Sequence, residues 1–427
     1  MRNMREIRSE RLGESYFEFH HPSGLKILVY PKPGYKAAYA VFGTRYGSID
    51  TQFRQKGDAA FTAVPEGIAH FLEHKLFESE ELDAFQRYAE TGASANAYTS
   101  FDKTCYLFSC TGDFKASLEI LLDFVTHPYF TAETVQKEQG IIGQEIRMCR
   151  DEPDWEALFL LLRAMYKNHP VRIDIAGTEE SISHITADLL YKCYRTFYNL
   201  SNMVLCVAGG VRPEDVLAVA DRLLKKQAPV EIERKCFDEP DEVAAAYAEE
   251  RLAVASPIFS LGFKQHIDSP ERPLREILLW RVVHEAVCGR TTPFYNALLE
   301  EGLLNTSFDW EYFCGYGYAA SIFTGETPDP KAVERRLVAR IETLQKDGIA
   351  PDDFERIRKK LYGRAVMAFN DIDSIANALV SAEFCGEGLF DEAETLGTLT
   401  LAEANDLLRT KLDTARRSLA VILPGEE

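Results

Sequence analysis

No hydrophobic run in the 427 residues approaches the roughly 18 residues that a membrane-spanning helix needs. Basic residues are also in deficit: 48 Lys and Arg stand against 67 Asp and Glu, and the formal net charge is −19. A protein that binds nucleic acid would show basic patches that match the phosphate charge. These two absences predict a chain with no membrane span and no nucleic-acid partner.

Cysteine is sparse as well. The nine cysteines are scattered singly, and no C-x-x-C pair of a structural zinc site occurs. Near the N-terminus, arginines such as Arg2 and Arg5 are not accompanied by the apolar segment of a secretory signal. Acidic residues, among them Glu6 and Glu10, interrupt the basic pattern of a mitochondrial transit peptide. We therefore expect reduced thiols and a cytoplasmic location.

The sequence does contain the composition of a globular protein, with 46% hydrophobic and 27% charged residues. Residues 225–255 form a charged, proline-containing stretch of weak periodicity, which is typical of a connection between domains. The predicted organisation is an N-terminal domain over residues 1–224, a linker over residues 225–255 and a C-terminal domain over residues 256–427.

The two halves repeat similar motifs in the same order. Residues 130–133 (FTAE) lead into a predicted helix, and residues 349–352 (IAPD) do so 219 positions later. The buried strand predicted at residues 203–209 has a counterpart at residues 419–425, 216 positions further along the chain. A mixed strand and helix sequence duplicated in this way predicts an α+β fold of two homologous domains. Each domain would be a mostly antiparallel sheet with helices packed on one face.

The main chemical signal is the segment His70-Phe-Leu-Glu73-His74, within a helix predicted over residues 66–78. Because an α-helix has 3.6 residues per turn, His70 and His74 lie one turn apart on one face. Two imidazoles at this spacing can hold one zinc ion, and the Glu73 carboxylate can take a proton from water beside it. The alternative is structural, since a histidine on an apolar helix is often only a packed residue.

A catalytic zinc ion needs a third protein ligand. The helix predicted over residues 132–150 offers two carboxylates, Glu138 and Glu145, which fall on one face because they are about two turns apart. Ile142 and Ile146 flank Glu145 and favour an inward orientation for it. A helix glutamate is more often simply solvated, and the residues alone leave that alternative open.

Together these motifs resemble the pitrilysin/insulinase family of zinc metallopeptidases, in which the order H-x-x-E-H is the inverse of the more familiar zinc-protease helix. Residues 96–99 (NAYT) and 198–209 lie in family-like positions. Residues 140–146 (GIIGQEI) and 169–177 (HPVRIDIAG) resemble bacterial members of the processing-peptidase type. Weaker matches run through the second half, so the resemblance covers nearly the whole chain.

The resemblance implies a zinc endopeptidase whose N-terminal domain binds the metal and whose C-terminal domain lacks metal ligands. The implied roles are zinc ligands for His70, His74 and Glu145, general base for Glu73, and orientation of a ligand histidine for Glu138. One zinc ion per chain is expected.

The resemblance also implies how substrate is held. Asn96, Ala97 and Thr99 match the strand edge at which a peptide substrate is bound, and a peptide can add there as an extra strand. Members of the family form a clam-like half-chamber from two bowl-shaped halves, which admits short or unfolded peptides. Peptide precursors and leader segments are the expected substrates.

One segment departs from the family pattern. Active members commonly carry an Arg and a Tyr in the second half that help to bind substrate and stabilise the oxyanion. Here residues 298–308 read LLEEGLLNTSF, so Leu299 takes the arginine position, and Arg290 and Tyr312 are out of register. A complete zinc half beside a depleted second half predicts the catalytic subunit of a heterodimer, whose homologous partner supplies the pair. Two alternatives stay open: an active homodimer that uses Arg290 or Tyr312, and a non-catalytic subunit for peptide holding or assembly.

Overall fold

The structure is a computed structural model that describes residues 4–80 and 82–425. Its strands are β1 (Met4–Ser9), β2 (Glu14–His20), β3 (Lys26–Pro31), β4 (Ala38–Thr44), β5 (Gln52–Gln55), β6 (Thr62–Ala63), β7 (Ser94–Thr99), β8 (Thr104–Cys110), β9 (Met203–Gly209), β10 (Ile232–Arg234), β11 (Tyr247–Leu252), β12 (Ile258–Lys264), β13 (Asp309–Gly315), β14 (Tyr318–Glu326) and β15 (Arg417–Pro424).

The helices are α1 (Ile68–Leu76), α2 (Ala84–Thr91), α3 (Phe114–Thr126), α4 (Ala132–Arg150), α5 (Pro153–Met165), α6 (Glu179–Ser183), α7 (Ala187–Phe197), α8 (Pro213–Leu223), α9 (Leu274–Cys288), α10 (Pro293–Glu300), α11 (Pro330–Asp347), α12 (Pro351–Met367), α13 (Ile372–Cys385), α14 (Asp391–Leu396) and α15 (Leu401–Lys411). Among the described residues, no helix combines the length and the apolar character that crossing a membrane requires.

The chain divides into two compact units, and each unit draws on both halves of the sequence. The first comprises Met1–Gln144, Asp174–Lys235 and Val366–Asp391, and the second comprises Glu145–Ile173, Cys236–Ala365 and Glu392–Glu427. A helical segment from each half therefore belongs to the unit of the other half. The contiguous domains over residues 1–224 and 256–427 describe the two halves of the duplicated sequence, and their bounds stay a prediction.

The first unit is built on a seven-stranded sheet with the order β1-β2-β3-β9-β4-β8-β7. Only β3 and β9 pair in parallel in this sheet, and every other neighbouring pair is antiparallel. The mostly antiparallel sheet predicted from the sequence is thus confirmed. Strand β7 is an edge of this sheet, and on one side of its backbone no strand from residues 4–80 or 82–425 pairs with it.

Helices cover both faces of this sheet. Tyr106 of β8 contacts Phe124 of α3, with ring centroids 5.7 Å apart. Because successive strand residues point to opposite faces, the adjacent Leu107 belongs to a separate apolar cluster with Ile375 and Leu379 of α13. The sequence predicts helices on one face, and the structure adds α13, from the second half of the sequence, on the other.

The second unit repeats this plan with a five-stranded sheet of order β11-β15-β12-β14-β13. Its one parallel pair, β11 with β15, corresponds to β3 with β9 in the first sheet. Phe259, Leu261 and Phe263 of β12 form a core with residues of α9 and α11. Helix α5, from the first half of the sequence, packs against β12 and β15. The matching strand orders confirm the prediction of two homologous α+β domains.

Candidate metal centre

Helix α1 carries the H-x-x-E-H segment. Ile68, Phe71 and Leu72 are buried, which anchors the helix, whereas His70 and His74 are half-buried. The two imidazole rings lie next to each other, with centroids 4.6 Å apart. The helix therefore presents two potential nitrogen ligands at a partly accessible position.

The start of α1 is fixed by a close approach of two backbone segments. Gly67 has a φ of 84°, in the left-handed region that favours glycine, and a Cβ atom there would lie 2.3 Å from the carbonyl oxygen of Ala176. A Cβ atom on Gly177 would lie 2.6 Å from the carbonyl oxygen of Glu66. The Ser181 hydroxyl also donates to that Glu66 oxygen at 2.9 Å. Two glycines thus let the chain hold the first turn of α1 in place.

Helix α4, which carries both candidate carboxylates, is anchored to the same region. The side-chain amide of Gln139 donates to the carbonyl oxygens of Ile182, Ser183 and Ile185 at 3.2, 3.3 and 3.2 Å. These carbonyls lie at the end of α6 and just beyond it, and α6 also contains Ser181. One short segment therefore positions both α1 and α4.

His70, His74 and Glu145 come together as a group that could hold a metal ion. One ligand atom from each residue lies within 4.8 Å of the others. In the described part of the chain, no other group of three or more His, Cys, Asp or Glu side chains is spaced to hold a metal ion. Two imidazoles and one carboxylate are the protein ligands of several catalytic zinc sites, which keep a further position open for water. The donor set and its spacing therefore fit zinc.

Glu138 lies two turns before Glu145 on α4 and contacts one of the two histidines. Its Oε1 is 3.0 Å from Nδ1 of His74, and its side chain is 13% exposed. A carboxylate at Nδ1 favours the tautomer with hydrogen on that nitrogen, which leaves Nε2 to bind a metal. The contact matches the orienting role that the family resemblance implies for Glu138.

Glu73 is 8% exposed, and a threonine contacts its carboxylate. The hydroxyl of Thr99 donates to Oε2 of Glu73 at 2.7 Å. Thr99 is the last residue of β7, the strand whose edge the resemblance assigns to substrate. The structure thus places Thr99 against the candidate base.

Asn96 and Ala97 lie on edge strand β7, three and two residues before Thr99. Asn96 is exposed, and its Oδ1 accepts a hydrogen bond from the Ala97 N–H at 2.9 Å. An unpaired strand edge can accept a further strand through main-chain hydrogen bonds. The Ala97 amide therefore has a side-chain partner at this edge of the sheet.

Burial shifts the pKa of several groups on and around α1. Burial raises the pKa of Tyr106 and of Tyr198 well above the ordinary value, and the nearby Glu73 raises both further. The two phenol oxygens lie 2.8 Å apart. Burial also lowers the pKa of Lys75, which is fully buried, to about 8. The two phenols are therefore neutral at ordinary pH.

The segment that departs from the family pattern, residues 298–308, belongs to the second unit. Leu299 is on α10, and residues 306–308 lie in the connection from α10 to β13. Tyr312 is 8% exposed, and its hydroxyl donates to Oε1 of Gln265 at 3.1 Å. Arg290, by contrast, is exposed. Tyr312 is therefore committed to the interior of its own unit.

Sequence reasoning missed the residues that hold the centre in place, namely Gly67, Gln139 and Ser181. The available signal was a glycine at each of two distant positions, Gly67 just before the predicted zinc helix and Gly177 at the end of the HPVRIDIAG motif. Gln139 and Ser181 act through main-chain carbonyls, and such contacts leave no pattern in the sequence.

Comparisons with known proteins identify the family and the relatives of this chain. Residues 61–179 match the family described as Insulinase (Peptidase family M16), and residues 184–361 match the Peptidase M16 inactive domain. The uncharacterized zinc protease YmfH of Bacillus subtilis (strain 168) is 39% identical over 426 residues, which is 99% of each chain. The crystal structure of an M16-like peptidase from Alicyclobacillus acidocaldarius has 36% identity and a TM-score of 0.90, and the match covers 99% of this chain and 98% of that one. A protease from Helicobacter pylori shares the fold at 17% identity, with a TM-score of 0.81 over 99% and 100% of the two chains.

Proposed function

The chain belongs to the insulinase family of peptidases, family M16, and on that premise we propose that it is a zinc-dependent endopeptidase. Its substrates are short or unfolded peptides, such as peptide precursors or leader segments. The observation that carries the proposal is the approach of His70, His74 and Glu145 to within 4.8 Å, on the two helices that also carry Glu73 and Glu138.

The residues divide the chemistry among them. Zinc bound by His70, His74 and Glu145 would supply Lewis acidity, which polarises a peptide carbonyl and lowers the pKa of water. Glu73 takes a proton from the attacking water and returns it to the leaving nitrogen. Glu138 keeps the His74 ring in the tautomer that leaves Nε2 available.

Substrate binding is proposed at the free edge of β7. A peptide that adds there would pair its main chain with the strand that ends at Thr99, next to Glu73. Asn96 and Ala97 would then exchange their mutual hydrogen bond for bonds to the peptide. Main-chain pairing of this kind requires an extended substrate, which supports unfolded peptides as the substrate class.

We propose that the chain works as the catalytic subunit of a heterodimer. Leu299 cannot replace an arginine, and the buried Tyr312 hydroxyl is engaged by Gln265, so neither supports oxyanion stabilisation in this chain. A homologous partner would supply the Arg and Tyr. The alternative of an active homodimer is less favoured, because the Tyr312 hydroxyl is engaged and only the exposed Arg290 is left to stabilise the oxyanion.

We also propose a cytoplasmic location. No disulfide joins cysteines in the described part of the chain, and five of the nine, including Cys105 and Cys206, are buried. Nine cysteines without a disulfide suit a reducing compartment.

A digest of a peptide library by the purified chain, alone and with its co-purified partner, tests the proposal. Mass spectrometry reads the cleavage products, and metal analysis reads the zinc content. We expect one zinc ion per chain and cleavage that increases in the presence of the partner. Peptide binding without cleavage in both preparations would favour the alternative of a non-catalytic peptide-holding subunit. Full cleavage by the isolated chain would favour the homodimer.

A further inference from the structure

We infer that Thr99 is a positioning residue for Glu73 and that a row of threonines across three strands holds it. The inference rests on the proposed function, because Glu73 acts as a base only if the chain is a peptidase. It assigns Thr99 a role different from the substrate contact that the family resemblance implies.

The row follows from the strand register. Thr99 of β7 lies directly opposite Thr104 of β8, and Thr104 lies directly opposite Thr44 of β4. Directly opposed residues of antiparallel strands point to the same face of the sheet, with their side chains in contact distance. Threonine is β-branched and has few allowed χ1 rotamers, so the three hydroxyls are held in fixed directions.

The two inner threonines are tied to the main chain. Thr44 is fully buried and donates to the carbonyl oxygen of Phe197 at 2.7 Å. Thr104 is also fully buried and donates to the carbonyl oxygen of Tyr46 at 2.8 Å. A hydroxyl has only one hydrogen to donate. Both inner hydrogens are therefore engaged with carbonyl groups and do not compete for Glu73.

This arrangement determines where the Thr99 hydrogen goes. The Thr99 oxygen lies 3.3 Å from the Thr104 oxygen and 2.7 Å from Oε2 of Glu73. The shorter distance is that of a charge-assisted bond from a hydroxyl to a carboxylate. Thr99 thus fixes Oε2, and Oε1 is the oxygen left to exchange a proton. A base held in one orientation reacts faster than one that samples several.

The two roles for Thr99 predict different kinetics. Loss of a substrate contact made equally in the ground state and the transition state changes KM and leaves kcat unchanged. Loss of a residue that orients the base changes kcat and leaves KM and zinc content unchanged. Loss of a merely structural residue changes stability, and any polar or apolar replacement of similar size would preserve that stability.

The test compares Thr99→Val, which keeps the shape and removes the hydroxyl, with Thr99→Ser, which keeps the hydroxyl. Thr324→Val is the matched control, because Thr324 also lies on a strand and donates to a main-chain carbonyl, at 3.0 Å, in the second sheet. The probe is a fluorogenic peptide chosen from the wild-type library digest. We expect Thr99→Val to lower kcat about 10- to 100-fold, with KM, zinc content and melting temperature close to those of the wild type. Thr99→Ser should restore most of kcat. A rise in KM with unchanged kcat would overturn the inference.

A crystal structure of zinc-loaded Thr99→Val tests the same inference without a measurement of catalysis. We expect the Glu73 carboxylate to leave its wild-type orientation or to occupy two, and to return to one in Thr99→Ser. A Glu73 side chain that stays in place in Thr99→Val would overturn the positioning role. If the wild-type chain, with its partner, cleaves no peptide, the proposed function fails, and the crystallographic comparison still decides whether Thr99 orients Glu73.

Discussion

The Nδ1 atom of His74 lies 3.0 Å from Oε1 of Glu138, so one side chain on α4 controls how a histidine on α1 can bind metal. Replacing Glu138 with alanine is expected to weaken zinc affinity about 10- to 100-fold, because the ring can then rotate and change tautomer. Competition with a chelator measures the affinity. Glu138→Gln should lose less, because its amide oxygen can still accept from Nδ1. Glu133→Ala, on the exposed first turn of the same helix, is the control. Unchanged affinity in Glu138→Ala would contradict the orienting role.

Substitutions at Glu73 and Glu145 are expected to differ in their effects on zinc binding and on catalysis. Glu73→Gln is expected to keep one zinc ion per chain and to lower kcat by about 10³-fold or more, because the amide cannot take a proton from water. Glu145→Gln is expected to lose zinc along with activity, because a neutral amide is a poorer zinc ligand than a carboxylate. Metal analysis and peptide cleavage on the same preparations check both. Rapid cleavage by Glu73→Gln would refute its role as the base.

The close approach at the start of α1 predicts a large effect of a single methyl group. Gly57 and Gly67 both have positive φ, 103° and 84°, but a Cβ atom on Gly57 would meet no heavy atom within 4 Å. Gly57→Ala should therefore lower the free energy of unfolding by about 1 kcal/mol, from the backbone alone. Gly67→Ala adds the contact with Ala176 and should lower it by about 3 kcal/mol or more. Urea unfolding of the two variants measures the difference. Equal losses would show that the two backbones can move apart freely.

Much of the centre could be predicted because it depends on helical spacing. The interval between His70 and His74, and that between Glu138 and Glu145, fix which side chains share a helix face whatever the rest of the fold does. The two α+β domains could be predicted for a similar reason, since the motifs recur in the same order. These features need only short-range geometry and a repeat.

The remaining features depend on contacts between distant segments. Nothing in the local pattern of α13 or α5 indicates that each helix covers the sheet of the other half, because an amphipathic helix does not specify its partner. The bond from Thr99 to Glu73 likewise depends on the register of β7 with β8 and on the placement of α1. Sequence reasoning therefore identified Thr99 through the family resemblance and could not assign its contact.

His284 in the second unit predicts how stability changes with pH. Its side chain is fully buried among aromatic residues, including Trp280 and Trp310, with ring centroids 5.8 and 5.2 Å away. Neither ring nitrogen has a hydrogen-bond partner among the described residues. Burial lowers the pKa of His284 from 6.5 to about 3. The folded chain therefore keeps this imidazole neutral in a pH range where the unfolded chain protonates it.

The sign of the effect follows from this difference. Above pH 6.5 the imidazole is neutral in both states and has no influence on the pH dependence of folding. As the pH falls from 6.5 toward 3, the unfolded state binds a proton that the folded state does not, so stability declines by up to about 1.4 kcal/mol per pH unit. His284→Phe removes this contribution, so its stability relative to the wild type should improve by about 2 kcal/mol between pH 7 and pH 4.5. Urea unfolding at the two pH values measures the change, and His20→Phe, at an exposed histidine, is the control. His284→Leu provides a second apolar replacement in case the phenylalanine ring does not fit. If both variants follow the wild-type pH dependence, His284 is not the group that makes the fold sensitive to acid.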